Sequence, residues 1–473
     1  MKSPFISRIF LPLFLATTAC FAASFGPYAD ASYSTGISSK SYSTAAFGDY
    51  NNDGFIDLAM TDCDGGGACN LGNLHLYTNN PLNPGRFSHQ IVLSSSTGPA
   101  RQLAWGDFDN DGDLDLYANG GGSLGHQYLL QNQGESGGFA LQLVGGGSHS
   151  DNVLPGNDNV QGAGWLDANQ DGWLDLFVSN GNGGSSKMYL NKGEQSLSDP
   201  NWFNASNATN WFTKYEQSSW ASGEASRNGS YSTFGDFDND TRQDIFYAVD
   251  EEGTRRVFVW HNQTTKESST FDFEEKGQTV LDPPTAGTSN RISWTGIVTW
   301  DPDNDGDMDL TVGWANHLDN FTHTPQFYEN RGGYGPIASL TGILDDRSMP
   351  WTQHATYTGG VAFADAYNNG LLDLYMAHSN ASGDESHKFY KNNGSLNFDE
   401  IETGISHSNW AAGATFGDVD NDGDADLFLC NGGRLLINNT NSRNVPADSL
   451  NKYYDTHGFY PPQGTNAEHY LDV

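Results

Sequence analysis

Short apolar runs alternate along this chain with breaks rich in Gly, Asn and Asp, and no stretch of useful length keeps a helical period. The runs follow one order. A strand of small and aromatic residues comes first, as at 44–48 and 413–417. A polar loop follows, and then a strongly apolar strand, at 56–60, 114–117, 174–178, 245–247, 310–312, 372–376 and 427–429. A Gly/Asn-rich turn leads to a third strand that ends in Asn, as at 74–79, 187–191, 388–392 and 434–438. A weaker fourth strand closes the unit, as at 87–92 and 398–401. Turn formers punctuate each junction, and β-branched or aromatic residues fill the runs. The order recurs seven times between about Tyr42 and Asn439. It predicts an all-β fold, a seven-bladed β-propeller of four-stranded blades.

The ends of the repeat region predict how the ring closes. Thr35-Gly-Ile-Ser38 stands ahead of Phe47-Gly48 as Thr403-Gly-Ile-Ser406 stands ahead of Phe416-Gly417. By this internal alignment, residues 25–35 form a fourth strand without a blade of their own. Blade seven runs out of repeat after Asn439, so the N-terminal strand completes it and removes an open sheet edge. An insertion in blade three, at 194–229, is rich in Asn, Ser and Trp.

The loop between strands one and two places oxygen side chains at positions 1, 3, 5 and 9, usually with Gly at 6. Position 7 offers a backbone carbonyl, and such a turn can wrap a hard divalent cation with the irregular geometry that calcium tolerates. Loop one supplies Asp49, Asn51, Asp53, Asp57 and the carbonyl of Phe55. Loop two supplies Asp107, Asp109, Asp111, Asp113 and Asp115, and loop three Asp167, Asn169, Asp171, Trp173 and Asp175. Loop four has Asp236, Asp238, Asp240, Arg242 and Asp244, with Thr241 where Gly is usual. Loop five has Asp301, Asp303, Asp305, Asp307 and Asp309. Loop six offers Asp365, Asn369, Leu371 and Asp373, but Tyr367 takes a ligand position, so this loop is expected to be the weakest. Loop seven has Asp418, Asp420, Asp422, Asp424 and Asp426. Five to seven Ca²⁺ ions are expected. An EF-hand is rejected, because position 12 carries no Glu and strands flank the loop.

Charge sharpens this picture. The chain carries 58 acidic against 22 basic residues, a net charge of −36, and 27 of the acids lie in the seven loops. The acidity is largely local and matched to cations. A nucleic-acid partner is excluded, since phosphate binding needs a basic surface.

These residues resemble the FG-GAP/VCBS repeat family, including the Phe-Gly that opens copies one, four and seven at Phe47-Gly48, Phe234-Gly235 and Phe416-Gly417. The resemblance implies an integrin-α-like seven-bladed propeller with calcium loops joining strands one and two of a blade. It also implies roles in extracellular adhesion, ligand recognition or the carrying of other modules, and some relatives are attached to polysaccharide-active enzymes. Departures here are Tyr367, Thr241 and the variants at Trp105, Trp165-Leu166 and Trp300.

The N-terminus reads as a secretory signal over residues 1–23, with Lys2 and Arg8 ahead of an apolar run that ends in small residues. Residues 24–440 form the propeller, and 441–473 a tail without repeat. No later segment could span a membrane. Cys63 and Cys69, in one Gly-rich loop, close a small disulfide or remain two thiols; Cys430 reads as a buried core thiol.

No nucleophile elbow, phosphate loop or zinc motif is present. At the end of the ring opposite the acidic loops, Arg101, Arg291 and His354 fall with Trp294, Tyr357 and Trp410. This rim could grip a sugar or an acidic ligand, or it could serve inter-blade packing and surface charge. The function expected is a secreted recognition or adhesion module for carbohydrate or protein. The alternatives are a polysaccharide lyase or hydrolase on the same scaffold, and a structural domain of a larger extracellular assembly.

Overall fold

The computed structural model describes residues 24–25, 28–30, 37, 42–62, 72–94, 100–120, 127–146, 160–180, 186–193, 211–216, 221–222, 229–251, 254–281, 294–315, 325–332, 344–353, 357–379, 386–406, 413–430 and 433–440. The signal segment, Cys63 and Cys69, Arg291, His354, Trp410 and the tail lie outside the described residues.

Seven sheets carry the fold, antiparallel except for one outer strand in the fourth. The N-terminal strands β1 (Ser24–Phe25) and β2 (Tyr28–Asp30) belong to the last of them. Blade one is β3 (Tyr42–Gly48), β4 (Asp57–Asp62), β5 (Leu74–Asn79) and β6 (Phe87–Leu93). Blade two is β7 (Ala100–Gly106), β8 (Asp115–Gly120), β9 (Gln127–Asn132) and β10 (Leu141–Gly146). Blade three is β11 (Val160–Leu166), β12 (Asp175–Asn180), β13 (Lys187–Asn191) and β14 (Phe212–Glu216).

Blade four adds an outer strand, β15 (Ala221–Ser222), to β16 (Gly229–Gly235), β17 (Asp244–Glu251), β18 (Thr254–Asn262) and β19 (Phe273–Leu281). Blade five is β20 (Trp294–Trp300), β21 (Asp309–Ala315), β22 (Gln326–Asn330) and β23 (Leu344–Asp346). Blade six is β24 (Tyr357–Ala364), β25 (Asp373–Ser379), β26 (Ser386–Asn392) and β27 (Phe398–Ser406). Blade seven is β28 (Ala414–Gly417), β29 (Asp426–Leu429) and β30 (Arg434–Asn438), with β2 and then β1 outside them. The helices among the described residues are two short 3₁₀ turns, Glu135–Gly137 and Pro350–Gln353.

The insertion in blade three is thus partly structural. It supplies that blade's fourth strand, β14, and then β15, which pairs in parallel with β19 of blade four. The innermost strand of each blade lies against that of the next all the way round, and β28 closes onto β3. β2 pairs antiparallel with β30, Tyr28 opposite Asn438. Tyr28 is buried, and its hydroxyl donates to the carbonyl of Ala425 at 2.9 Å.

The aromatic ahead of each acidic loop is core: Phe47, Trp105, Trp165, Phe234, Trp300, Phe363 and Phe416 are all buried. They fill the seams between blades. The indole N–H of Trp105 donates to the Ala46 carbonyl of the blade before it, at 3.3 Å, and Trp165 does the same to Ala104 at 3.2 Å. This packing explains the Gly that follows the aromatic. A Cβ on Gly48 would sit 2.9 Å from Trp105 Cδ1, and one on Gly417 2.4 Å from Ile56 Cδ1. Cys430 is a buried free thiol in the seam between blades one and seven. Burial pushes its ionisation well up, so it is inert packing.

Candidate metal centres

Each acidic loop is built by its own side chains. The Asp at position 1 accepts the N–H of position 5 on one oxygen and that of position 6 on the other, as Asp107 does from Asp111 (3.0 Å) and Gly112 (2.9 Å). Position 5 then accepts the N–H of position 7, as Asp111 does from Asp113 at 2.9 Å. Position 4 is held at positive φ in every copy, and Asn, which tolerates that region, fills it in six of seven. Position 6 also lies at positive φ, which suits Gly; Thr241 takes the same conformation at φ 73, the strained site the sequence implied.

Two rings of amides tie the loops together. At position 4, Asn52 donates to the Gly112 carbonyl (3.0 Å) and Asn110 to that of Gly172 (2.9 Å). Gln170 donates to Thr241 (2.7 Å), Asn239 to the Asp307 carboxylate (2.6 Å), and Asn304 to Gly370 (2.8 Å). Asn368 reaches Asp424, and Asn421 closes the circle on Gly54 at 2.7 Å.

The second ring is the Asn that ends each third strand. Its backbone N–H donates to the Asp at position 9, and its side-chain amide donates to the position-2 carbonyl of the preceding blade's loop. Asn132 reaches Tyr50 this way, Asn191 reaches Phe108, and Asn79 closes onto Val419 at 2.7 Å. Asn79 also donates to Ile56 and accepts from Asn80 and Gly85. Replacing it with Ala leaves several buried groups without partners, each costing about 1–3 kcal/mol. Asn79→Ala is therefore expected to lower stability by at least about 2 kcal/mol in urea unfolding. A change below about 0.5 kcal/mol would show that the blade one–blade seven seam does not depend on it.

The position-9 Asp is the buried hub of the loop. Asp115 accepts from Phe108 N–H at 3.1 Å and from Asn132 N–H at 2.7 Å, and the pattern repeats round the ring. Loop five breaks it, because Pro302 has no N–H to give. One oxygen of Asp309 is left without a hydrogen bond.

Several of these carboxylates converge. Ligand atoms of Asp107, Asp109 and Asp115 lie within 4.8 Å of one another, as do those of Asp301, Asp303 and Asp305, and of Asp418, Asp420 and Asp426. A fourth group joins Asp238 and Asp240 to His261. In the three all-carboxylate groups, the position-3 residues Asp109, Asp303 and Asp420 each have a buried oxygen with no hydrogen-bond partner.

Burial, reinforced by neighbouring carboxylates, pushes the acids up. Asp309 reaches about 9, Asp57 about 8, Asp109 and Asp373 about 7, and Asp303, Asp418 and Asp424 about 6. Asp115, Asp175, Asp244 and Asp426 are raised well above the carboxylate range by the same desolvation. Uncompensated negative charge held in a fixed oxygen cage is the arrangement a hard cation relieves. A cavity of about 480 Å³ lies beside loop five, lined by Asp303, Glu329, Arg347, Ser348, Met349, Ser395 and Leu396.

Sequence reasoning missed one position that the structure makes prominent, the residue just before the third-strand Asn. It faces position 3 of the loop: Gln131 donates to Asp109 at 2.5 Å, and His261 Nε2 lies 3.1 Å from Asp238. A different residue stands there in each copy, so no repeat signal marked it.

The rim residues divide. Arg101 lies at the start of β7, Trp294 opens β20 and Tyr357 opens β24, all at the end of the innermost strand away from the acidic loops. Their side chains, and Arg291, His354 and Trp410 entirely, lie outside the described residues.

A family model described as FG-GAP-like repeat matches residues 49–118 and 365–429. No curated protein sequence matches the chain. Two solved structures are among those that match the chain. One is the periplasmic gluconolactonase PpgL of Pseudomonas aeruginosa, at 15% identity over 74% of this chain and 83% of that one, with a TM-score of 0.44. The other is BBS1N in complex with ARL6DN, at 12% identity over 89% and 98%, with a TM-score of 0.45. Matched repeats and observed sheets agree: this chain is a seven-bladed β-propeller carrying FG-GAP-like repeats.

Proposed function

We propose that the chain is a secreted, calcium-binding propeller that serves as a recognition module for a carbohydrate or protein ligand. The observation that carries the calcium reading is the set of buried oxygens without donors on Asp109, Asp303 and Asp420, each inside a converging carboxylate group. An oxygen-only donor set with a backbone carbonyl at position 7 suits calcium better than a softer metal. The ions stiffen one end of the ring. The other end, where the innermost strands begin, is then free to vary in sequence and to bind.

Aromatic faces there would stack on sugar rings, and Arg or His would pair with carboxylate or sulfate groups. Calcium-loaded protein is to be screened on a glycan array, with a depolymerisation assay in parallel. The expected result is binding without chain cleavage, weakened at least 10-fold by Trp294→Ala combined with Trp410→Ala while calcium content and melting temperature hold. Normal binding by the double variant moves the ligand face elsewhere, and measurable depolymerisation replaces the recognition reading with an enzymatic one.

A further inference from the structure

Loops four and six differ from the other five in what stands beside position 3. The residue before the third-strand Asn is Thr78, Gln131, Leu190, Glu329 and Ile437 in blades one, two, three, five and seven. In blade four it is His261, and in blade six it is Lys391. The same strand register holds in all seven, because the following Asn bonds the position-9 Asp each time. The histidine and the lysine therefore occupy equivalent places, and they occur in the two loops whose sequence departs most from the repeat.

In loop four the compensation is double. Arg242 at position 7 ion-pairs with Asp240 at position 5, and its Nε donates to the Asn262 carbonyl at 2.6 Å, which fixes the guanidinium over the loop. His261 Nε2 lies 3.1 Å from Asp238 and 3.4 Å from Asp240. Asp238 keeps one oxygen without a hydrogen bond, and Asp238, Asp240 and His261 together would also suit a metal that accepts nitrogen. The fixed charge of Arg242 opposes that, since a divalent ion would sit beside a guanidinium already holding Asp240.

In loop six, Tyr367 replaces the position-3 carboxylate or amide with a phenol. The Lys391 ammonium lies 4.2 Å over the Tyr367 ring centroid, a cation–π contact in the place where an ion's ligand would be, and the ring itself packs on Phe389. Loops two, four, five and seven, by contrast with loop six, keep an oxygen without a hydrogen bond at position 3, and in loop four it is Arg242 that opposes an ion.

We infer that loops four and six carry their own cations, Arg242 and Lys391, in place of a metal ion, with His261 packed on Asp238 in loop four, and that the ring binds five calcium ions rather than seven. This rests on the reading of the remaining loops as calcium sites.

Metal analysis of the full chain, dialysed against calcium with trace zinc, is expected to give five calcium ions and no zinc. Six or seven calcium ions, or a bound zinc, overturns the inference and leaves the calcium reading standing; two or fewer overturns the calcium reading itself. Two variants replace the departing residues with those of loop two at the same places: Arg242→Asp with His261→Gln, and Tyr367→Asp with Lys391→Gln. Each is expected to raise the count by one. A folded variant that gains no ion counts against the inference. Lys391→Gln alone covers the case of variants that fail to fold. It is expected to lower the melting temperature equally in EDTA and in calcium, because its charge acts whether or not other loops are filled. A rise in calcium-induced stabilisation for this variant would mean that loop six was a calcium site that Lys391 had been weakening.

Discussion

Stripping divalent cations with EDTA is expected to lower the melting temperature by roughly 10 °C, and calcium is expected to restore it where magnesium restores only part. A site that binds only the folded state, filled at about 100-fold over its Kd, adds about 2.7 kcal/mol. Five such sites give on the order of 10 kcal/mol. Unfolding entropy of about 2.1 cal/mol/K per residue converts that, for a propeller of this size, into roughly 10 °C. Magnesium falls short because it demands near-octahedral geometry and gives up water reluctantly. The loops offer instead a turn whose shape is already set by its own N–H donors. An unchanged melting curve, on protein shown by metal analysis to be free of ions, would reduce the acidic loops to turn formers.

The loops do much without an ion. Position 1 folds the turn on itself, position 4 hooks the next loop, and the third-strand Asn staples the previous one. What these contacts leave unmet is charge. They satisfy the N–H groups and the amides, but they leave carboxylate oxygens of Asp109, Asp303, Asp309 and Asp420 with no partner. The hydrogen-bonded frame and the charge deficit are separate facts. Only the second calls for a cation.

Much of this was readable in the chain. Alternating apolar runs and Asp-rich turns gave the blades, and the matched ends at 35–38 and 403–406 pointed to an N-terminal strand in blade seven, where β2 pairs with β30. The oxygen spacing marked the loops, and Tyr367 and Thr241 were visible as departures. The amide rings were not readable, although their residues were. Asn at position 4 is repeated, yet repetition alone does not say that a side chain at positive φ reaches the next blade. The cations of loops four and six were hidden for another reason. His261 lies more than twenty residues from the acids it faces, and Lys391 more than twenty from the Tyr367 ring it covers, and only the blade brings them together. The insertion at 194–229 misled in a third way. Its polar composition concealed β14, whose Phe212 is buried in the blade two–blade three seam.

The melting temperature of metal-free protein is expected to fall as pH rises from about 5 to 8, and the gap between calcium-loaded and metal-free protein is expected to widen. Burial raises the folded-state values of Asp57, Asp109, Asp309 and Asp373 to between about 7 and about 9, from an ordinary 3.8. Each of these groups holds its proton more tightly folded than unfolded. The stabilisation is fully present below the unfolded value and is lost as pH climbs through the folded one. Between those limits the unfolded chain releases protons that the metal-free fold still holds, so raising the pH favours unfolding. Calcium reverses the balance, since it binds the ionised carboxylates and expels the same protons, and its affinity grows over the same window. Diffuse repulsion from a net charge of −36 would also weaken the fold at higher pH, but added salt screens that and reaches buried groups far less. The comparison therefore belongs at both low and about 0.5 M salt, a concentration at which screening acts within a few ångströms. A metal-free melting temperature that climbs between pH 5 and 8, or a fall that disappears in salt, would mean that the buried loop carboxylates do not govern the stability of the ring.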